Sequence, residues 1–267
     1  MAMKNRNPIK AFFLALVCTG LGQLYNGQIK KMIGIFIAFC VLVIVSYWGP
    51  LPETFNGFMT LVVLFIGLHL FGIVDAVRSS RKLKETVPGP YQRWYVYILY
   101  FMLIFALVKR HPGLPQYQLY EYVKDPSVSM SPTLIPEDHF TIKRMKSFEP
   151  KRGDIVVFVD PVYSRLLIKR VIGIAGDNVE VKNGKVYVNQ TERLEDKSPY
   201  FSRQFPSRKP NNSLLTVPEN CLYVLGDNRS ASFDSSVFGP VQRTALRGKP
   251  LYIYWSKSKS RIGRKIE

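Results

Sequence analysis

Residues 154–189, DIVVFVDPVYSRLLIKRVIGIAGDNVEVKNGKVYVN, decide the fold of the second half of the chain. Short runs of β-branched and other apolar residues alternate here with Asp, Pro, Gly and Asn, which is the pattern of strands joined by turns. Asn183-Gly184 separates two of these runs. Because both residue types tolerate positive φ, the pair predicts a two-residue hairpin turn.

The strand pattern continues on both sides of this stretch. FTIKRM at 140–145, CLYVLG at 221–226 and PLYIYW at 250–255 also predict strands, whereas the polar, proline-bearing stretch 190–216 predicts a loop or small insertion. Six or more strands with almost no helical periodicity predict an all-β domain, which we place at residues 113–256. Residues 257–267 contain five Lys and Arg. We expect them to form a flexible basic tail that sits on anionic lipid headgroups.

Residues 1–112 have a different pattern, that of an α-helical membrane region. Residues 32–52 and 54–74 carry no charge, and each is long enough at ~1.5 Å per residue to cross a hydrocarbon core of ~30 Å. A third predicted span, 93–109, is shorter and is flanked by basic residues that can reach the interfaces. Repeated apolar segments of this kind indicate a multi-pass protein rather than a cleaved signal peptide.

Basic residues orient the predicted spans. Lys and Arg lie on both sides of the uncharged segment 11–29 and after the span 54–74, whereas the connection at 50–56 has none and contains Glu53. Segment 11–29 therefore begins and ends on the cytoplasmic side, and we interpret it as re-entrant or interfacial. Three crossings then place the β domain on the outer face of the cytoplasmic (inner) membrane. If 11–29 spans instead, the β domain returns to the cytoplasm.

The net charge of +18 over 267 residues does not indicate nucleic-acid binding. Residues 1–114 hold 12 Lys and Arg against 3 Asp and Glu, and residues 115–267 hold 25 against 16, so each part contributes +9. The first +9 is explained by membrane topology. The three cysteines and three histidines form no CxxC, HExxH or other ligand spacing. We therefore expect neither a metal nor another cofactor.

Three segments contain side chains that can take part in catalysis. They are PSVSMSPTL at 126–134, Lys169 within LLIKRVIGIAGD, and GDNRSASFDS at 226–235. Taken singly, each is typical of an ordinary turn or of a lysine that extends to solvent. In a strand, however, Lys169 shares a face with Leu167 and Val171, and burial disfavours an ammonium group. A serine beside such a lysine is a known alternative to Ser-His-Asp, with the neutral amine as general base.

Together with RGDIVVF, FGPV and GKPLYIYW, these blocks resemble the bacterial type I signal peptidases, which are membrane-bound Ser-Lys leader peptidases, over residues 126–256. The resemblance implies an all-β catalytic domain of coiled antiparallel sheets attached to an α-helical transmembrane region. It also implies a serine endopeptidase that cleaves N-terminal signal peptides from exported preproteins. Expected partners are these preproteins, membrane lipids and the secretion machinery, and no nucleic acid.

The resemblance implies a role for each matching residue. Ser129 matches the nucleophile and Lys169 the general base, while Ser127 and the Ser129 backbone N–H match the oxyanion hole. Ser232 matches the serine that orients the lysine. The remaining expected site residues shape the substrate pocket (Met130) or organise the surrounding loop (Asp227, Asn228, Arg229 and Asp234). Many relatives have an arginine where this chain has Ser236, so Asp234 either loses its partner or finds another.

Two alternatives stay open at this point. A specialised processing peptidase with one or few substrates would carry the same motifs. A catalytically inactive membrane assembly protein would use the β domain as a binding module, although the presence of Ser129, Lys169, Ser127 and Ser232 argues against it.

Overall fold

The structure is a computed structural model that describes residues 4–83, 85–86, 89–108, 119–124, 127–145, 149–182, 185–192 and 214–267. The chain divides into two compact units, Met1–Gln118 and Leu119–Glu267. The first is helical and the second is built from antiparallel strands. The predicted fold class, an all-β domain attached to an apolar helical region, is confirmed.

The N-terminal unit contains five α-helices within the described residues: α1 (Pro8–Val17), α2 (Leu21–Tyr25), α3 (Ile29–Trp48), α4 (Phe55–Lys82) and α5 (Trp94–Val108). A two-stranded ribbon pairs β1 (Lys4–Asn5) with β2 (Glu85–Thr86). Of the described helices, α3 and α4 are long and apolar enough to cross a membrane, and α5 is shorter. Helix α3 ends before the predicted limit at 52, because Pro50 disfavours helical geometry at Gly49. Helix α4 continues beyond the predicted limit at 74, because a charged residue ends an apolar run without ending a helix.

The segment 11–29 forms most of α1 and α2, which are separated by a break at residues 18–20. Gly20 lies in the break with φ +95°, a conformation that favours glycine. A Cβ added at Gly22 would lie 2.5 Å from the Ala76 Cβ of α4. Gly22 therefore allows α2 to approach α4 closely, as expected of small residues at helix contacts in membranes.

The C-terminal unit contains eleven strands within the described residues: β3 (Tyr120–Lys124), β4 (His139–Arg144), β5 (Ile155–Val159), β6 (Leu166–Ile174), β7 (Asn178–Lys182), β8 (Lys185–Val188), β9 (Thr191–Glu192), β10 (Leu215–Thr216), β11 (Cys221–Leu225), β12 (Val241–Gln242) and β13 (Leu246–Trp255). One sheet has the order β12-β11-β6-β5-β13-β4-β3, and a smaller one has the order β10-β7-β8-β9. A short helix, α6 (Ser235–Phe238), follows β11.

The hairpin predicted at Asn183-Gly184 is confirmed by the register of β7 and β8, in which Lys182 pairs with Lys185. The two turn residues themselves lie outside the described residues. The predicted loop 190–216 contains β9 and β10 near its ends, and residues 193–213 also lie outside the described ranges.

Strand β5 lies in the middle of the larger sheet and is buried on both faces. Ile155 and Val157 belong to one apolar cluster, and Val156 and Phe158 to another. This explains its continuous apolar run, because successive side chains of a strand point to opposite faces. The neighbouring strand β6 is thereby held in the interior of the sheet.

The prediction of a flexible basic tail at 257–267 is wrong. The segment folds back on β13, with the Ile266 amide donating to the Leu251 carbonyl at 2.9 Å. Ile266 is 2% exposed and joins the core, and Arg261 is also buried. The composition of the tail is misleading, because most of its basic side chains are exposed whereas two of its residues pack inward.

Candidate active site

Ser129 and Lys169 meet in the interior of the C-terminal unit. Ser129 lies in the turn after β3, and Lys169 lies in the middle of β6, 40 positions further along the chain. The Lys169 Nζ and the Ser129 Oγ are 2.7 Å apart, in hydrogen-bond contact. Both residues are buried: Lys169 is 2% exposed and Ser129 is 5% exposed. The sheet thus brings together the two residues that the sequence singled out.

The apolar wall predicted around Lys169 is present. Val156 is its cross-strand partner on β5, and Val156 and Val171 are buried in one cluster against which Leu167 packs. The Lys169 Nζ also donates to the Ile168 carbonyl at 2.9 Å. The amine is therefore anchored at the backbone of its own strand as well as at the serine.

Ser127 lies two positions before Ser129, as expected of an oxyanion-hole residue. Its Oγ accepts a hydrogen bond from the Ser129 backbone N–H at 3.0 Å. The two groups predicted to form the oxyanion hole are therefore adjacent, and they bond to each other in this structure.

The loop after β11 holds the turn at residues 128–134, which we name the nucleophile turn after the role expected of Ser129. The Asn228 amide donates to the Ser129 carbonyl at 3.0 Å, and its side chain donates to the Val128 carbonyl at 3.2 Å. A Cβ added at Gly226 would lie 2.5 Å from the Ser129 carbonyl oxygen and 2.3 Å from the Ser232 Oγ. Only a glycine fits between these two residues.

Ser232 lies at this contact, but it does not make the bond that the resemblance implies. Its Oγ is buried and has no hydrogen-bond partner within the part of the chain that the structure describes. The expected hydrogen bond to Lys169 is therefore not formed here.

Arg170 and Asp227 form an ion pair that the sequence reasoning missed. The Arg170 Nε and Nη2 donate to the two carboxylate oxygens of Asp227 at 2.8 and 2.7 Å, a bidentate arrangement. The Thr133 hydroxyl donates to the same carboxylate. Strand alternation predicts that Arg170 and Lys169 lie on opposite faces of β6, and the two side chains have different partners, Asp227 and Ser129. No signal in the sequence joins the two residues of the ion pair, which lie 57 positions apart.

Two further loop residues are held inside the unit. The Arg229 Nε donates to the Gly226 carbonyl at 2.8 Å, and the Asp234 carboxylate accepts from the Gly226 amide. Asp234 also accepts from the amide and hydroxyl of Ser236, so it has found other partners in place of the family's arginine. Burial, with added repulsion from the Asp234 charge, raises the pKa of Tyr223 to about 12.

A groove of about 320 Å³ opens over Ser127, Ser129 and Lys169. Its walls are mostly apolar: Val123, Ile142, Val157, Leu166, Leu167, Ile168, Ala231 and Phe233, with Lys124 and Arg165 also contributing. Met130 does not line this groove. It is fully buried beneath it, in the same cluster as Ile142 and Ile168. The contributions of Ala231, Phe233 and Arg165 were missed, because their sequence contains no signal beyond a turn.

One edge of β6 is open beside the groove. Strand β5 pairs with β6 along Leu166 to Arg170, whereas β11 pairs with β6 only from Arg170 onward. Within the described residues, the other edge of Leu166 to Lys169 therefore has no strand partner. An extended peptide could hydrogen-bond there and pass directly over Ser129.

Comparison with known proteins places these features in a family. A family model described as signal peptidase, peptidase S26, matches residues 92–255. Thylakoidal processing peptidase 1, chloroplastic, of Arabidopsis thaliana is 35% identical over 149 residues, which are 50% of this chain and 42% of the relative. Signal peptidase I of Leptolyngbya laminosa is 34% identical over 142 residues, which are 49% of this chain and 66% of the relative.

A crystal structure of a signal peptidase I from Enterococcus faecalis V583 is 31% identical, with a TM-score of 0.33 over 38% of this chain and 97% of that chain. The chain spans less than two thirds of the length of either curated relative named above. The family model, in contrast, covers more than half of this chain and includes Ser129, Lys169 and the loop after β11. The chain belongs to the signal peptidase family, peptidase S26.

Proposed function

We propose that this protein is a membrane-bound serine endopeptidase that removes N-terminal signal peptides from exported preproteins by a Ser-Lys dyad mechanism. The contact of 2.7 Å between the Lys169 Nζ and the Ser129 Oγ carries the proposal. A buried amine beside a serine at the base of an apolar groove is the arrangement required of a general base and its nucleophile.

In the first step, the neutral Lys169 amine takes the proton of Ser129 while the Oγ attacks the carbonyl carbon of the scissile peptide bond. Lys169 then gives this proton to the leaving nitrogen, the carbon–nitrogen bond breaks, and an ester to Ser129 remains. In the second step, Lys169 takes a proton from water, which attacks the ester. The proton returns to Ser129 as the carbon–oxygen bond to Ser129 breaks, and the signal peptide leaves with a C-terminal carboxyl group that gives its proton to water.

The negative oxygen of each tetrahedral intermediate would be bound by the Ser129 amide and the Ser127 hydroxyl. Because these two groups now bond to each other, substrate binding requires the Ser127 side chain to turn and both donors to face the substrate. Removing one donor of this kind typically costs ~2.7–4 kcal/mol of transition-state stabilisation.

The substrate would bind in extended form along the open edge of β6. Its side chains would alternate between the apolar walls and solvent, and small residues in an A-x-A-like pattern would enter the shallow groove. Met130 would support the groove from beneath. Asp227, Asn228, Arg229 and Asp234 would keep the loop after β11 in place against the nucleophile turn, and Ser232 would orient Lys169 once the site rearranges.

The proposal includes a multi-pass topology in the cytoplasmic (inner) membrane. Helices α3, α4 and α5 would cross, and α1 and α2 would remain re-entrant or interfacial, since each is too short to span by itself. This arrangement places the peptidase unit on the outer face, where signal peptides end and where lipids and the secretion machinery lie. A reporter that is active only outside the cytoplasm, fused after Glu267, should be active. Activity of a cytoplasmic reporter there would overturn the topology.

The chemical proposal is tested by incubating the full-length protein in detergent with a preprotein. Ser129→Ala and Lys169→Ala should each abolish processing, while Lys151→Ala, which removes an exposed lysine outside the groove, should process normally. Equal processing by the wild type and both dyad variants, or none by the wild type, would overturn the Ser-Lys mechanism.

A specialised processing peptidase is a second candidate. The similarity to the thylakoidal processing peptidase of Arabidopsis favours it, since that relative's name records a processing role. Depleting the protein in cells separates the two candidates, because a general signal peptidase should leave many preproteins uncleaved and a specialised enzyme only one or a few.

A further inference from the structure

The turn that carries Ser129 is held on its far side by residues 256–267, the segment that follows β13. Arg261 provides most of the contact. Its Nη2 donates to the Thr133 carbonyl at 2.8 Å, and its Nη1 donates to the Pro132 carbonyl at 3.2 Å. The guanidinium thus reaches the backbone three and four positions after the nucleophile.

The same guanidinium makes a buried ion pair with Asp138. Its Nη2 lies 2.6 Å from the Asp138 Oδ2, and the two side chains are 9% and 0% exposed. The Asp138 carboxylate also accepts from the Ile135 amide at 3.0 Å. Burial opposes ionisation of Asp138, but the hydrogen bonds from Arg261 and the Ile135 amide hold its pKa below the usual range. Both ends of the stretch 132–138 are therefore attached to one cation.

Apolar packing adds a second attachment. Ile266 lies in the same buried cluster as Met130 and Leu134. Met130 follows Ser129 directly, and its carbonyl accepts from the Leu134 amide at 2.9 Å. A residue of the C-terminal segment thus belongs to the buried cluster that includes two residues of the nucleophile turn.

The two sides of the turn are held by different parts of the chain. Asn228 bonds the carbonyls of Val128 and Ser129, and Arg261 bonds those of Pro132 and Thr133. Proton transfer requires Ser129 to stay in hydrogen-bond contact with Lys169, and a displacement of about 1 Å can reduce the rate of an enzyme by about 10²-fold.

We propose that Arg261 is a positioning residue for the peptidase reaction: supported by Ile266, it keeps the nucleophile turn in place so that Ser129 remains in contact with Lys169. The inference rests on the proposed function. Arginine suits the role because its planar fork can bind two carbonyls and a carboxylate at once, whereas the ammonium group of lysine is a compact point charge on a flexible stem.

The test compares Arg261→Gln and Arg261→Lys with a matched control, Arg264→Gln, in the full-length protein in detergent. Arg264 lies in the same segment but is exposed, so its replacement removes the same charge without touching the turn. Initial rates on a signal-peptide substrate provide kcat and KM, and circular dichroism identifies the temperatures at which each variant is folded.

We expect kcat of Arg261→Gln to fall by about 10- to 100-fold at nearly unchanged KM, because the groove stays intact while the nucleophile is misplaced. The kcat of Arg261→Lys should fall less, because this variant retains the positive charge opposite Asp138. The kcat and KM of Arg264→Gln should equal those of the wild type. A purely structural role would instead lower the unfolding temperature and leave kcat of the folded fraction unchanged.

Two results would overturn the inference: a folded Arg261→Gln with kcat within about twofold of the wild type, or a rise in KM at constant kcat. If Arg261→Gln does not fold, Ile266→Val is decisive, because it removes one methyl group from the buried cluster that contains Met130. It should lower kcat at constant KM, and an unchanged kcat overturns the inference. Ser129→Ala, measured in parallel, separates the two proposals. Processing by Ser129→Ala refutes the proposed function, whereas an inactive Ser129→Ala beside fully active Arg261 and Ile266 variants refutes only the positioning role.

Discussion

Within the described residues, the helical unit leaves far more of its large apolar side chains exposed than the β unit does. In the helical unit, Gln23 is fully buried while Val63 and Phe71 are 63% and 60% exposed. In the β unit, Val156 and Phe158 are fully buried. The helical pattern suits a hydrocarbon solvent, in which polar groups gain most from contacts between helices. The β pattern suits water, which drives apolar groups into the core.

The buried polar residues therefore have different meanings in the two units. In the helical unit, the Gln23 Nε2 donates to the Gly72 carbonyl at 2.7 Å and attaches α2 to α4. In the β unit, Lys169, Asp234 and Arg229 are buried around one turn, the turn of Ser129. In a core that excludes water, a buried polar group costs free energy unless all its hydrogen bonds are made. A cluster of buried polar side chains around one turn therefore indicates a chemical role.

The largest effect should follow from removing the buried amine of the β unit. Lys169→Met keeps a long side chain of apolar character but removes the proposed general base, so kcat/KM should fall by about 10⁴-fold. The free energy of unfolding should stay equal or rise, because an apolar replacement relieves a buried polar group. Processing assays and denaturant unfolding measure the two quantities. A variant that is both inactive and strongly destabilised would show that Lys169 serves the fold.

A smaller effect should follow from filling the space at Gly226. Gly226→Ala places a methyl group against the Ser129 carbonyl and the Ser232 hydroxyl, so the nucleophile turn must shift. We expect kcat to fall by about 10²-fold. Gly67→Ala in α4 is the matched control, because its Cβ would meet nothing within 4 Å. Equal activity of the two variants would mean that the turn tolerates displacement.

Acid should destabilise the β unit through two buried carboxylates. Burial opposes ionisation of Asp177, but hydrogen bonds from Arg152 and the Ile174 amide lower its pKa, and the pKa of Asp138 is lowered as well. A lowered pKa in the folded state adds stability above the unfolded value, ~3.9 for Asp, and this stability is lost as the pH falls through the folded value. Unfolding by denaturant from pH 6 to pH 2 should therefore show a steep loss below about pH 4.

Asp177→Asn should be less stable than the wild type at neutral pH and should lose less stability on acidification. Its ion-pair partner Arg152 is about one third exposed, so solvent screening keeps this contribution modest. If the variant and the wild type lose stability in parallel, Asp177 does not contribute to the acid transition.

The smallest effect should come from the helical unit. Gln23→Leu removes the hydrogen bonds to the Gly72 carbonyl and the Asp75 carboxylate. It should lower the stability of the helical unit by about 0.6 kcal/mol per contact, the average for such contacts in membranes. It should leave kcat unchanged. Thermal unfolding in detergent and the preprotein assay test both statements. A large loss of kcat would contradict the assignment of Gln23 to helix packing alone.

Much of the candidate site was predictable from the sequence because its residues lie in short, ordered motifs. Ser129, Lys169 and Ser127 come together as the resemblance implies. Arg170 and Asp227 were not predicted as a pair, since 57 positions separate them and neither has a distinctive neighbour. Arg261 was missed because five basic residues after Trp255 have the composition of a solvated tail, and composition does not reveal which side chain finds a buried carboxylate.

Local sequence by itself determined the elements: apolar length produces α3 and α4, strand alternation produces the sheets, and glycine permits the contacts at Gly22 and Gly226. These follow from interactions between near neighbours and from the size of single side chains. Only the tertiary structure decided the shape of the groove, the absence of a bond between Ser232 and Lys169, and the clamping of the nucleophile turn by Asn228 and Arg261. These depend on contacts between residues about 100 positions apart or more, which exist only once the antiparallel sheet has brought its loops to the same place.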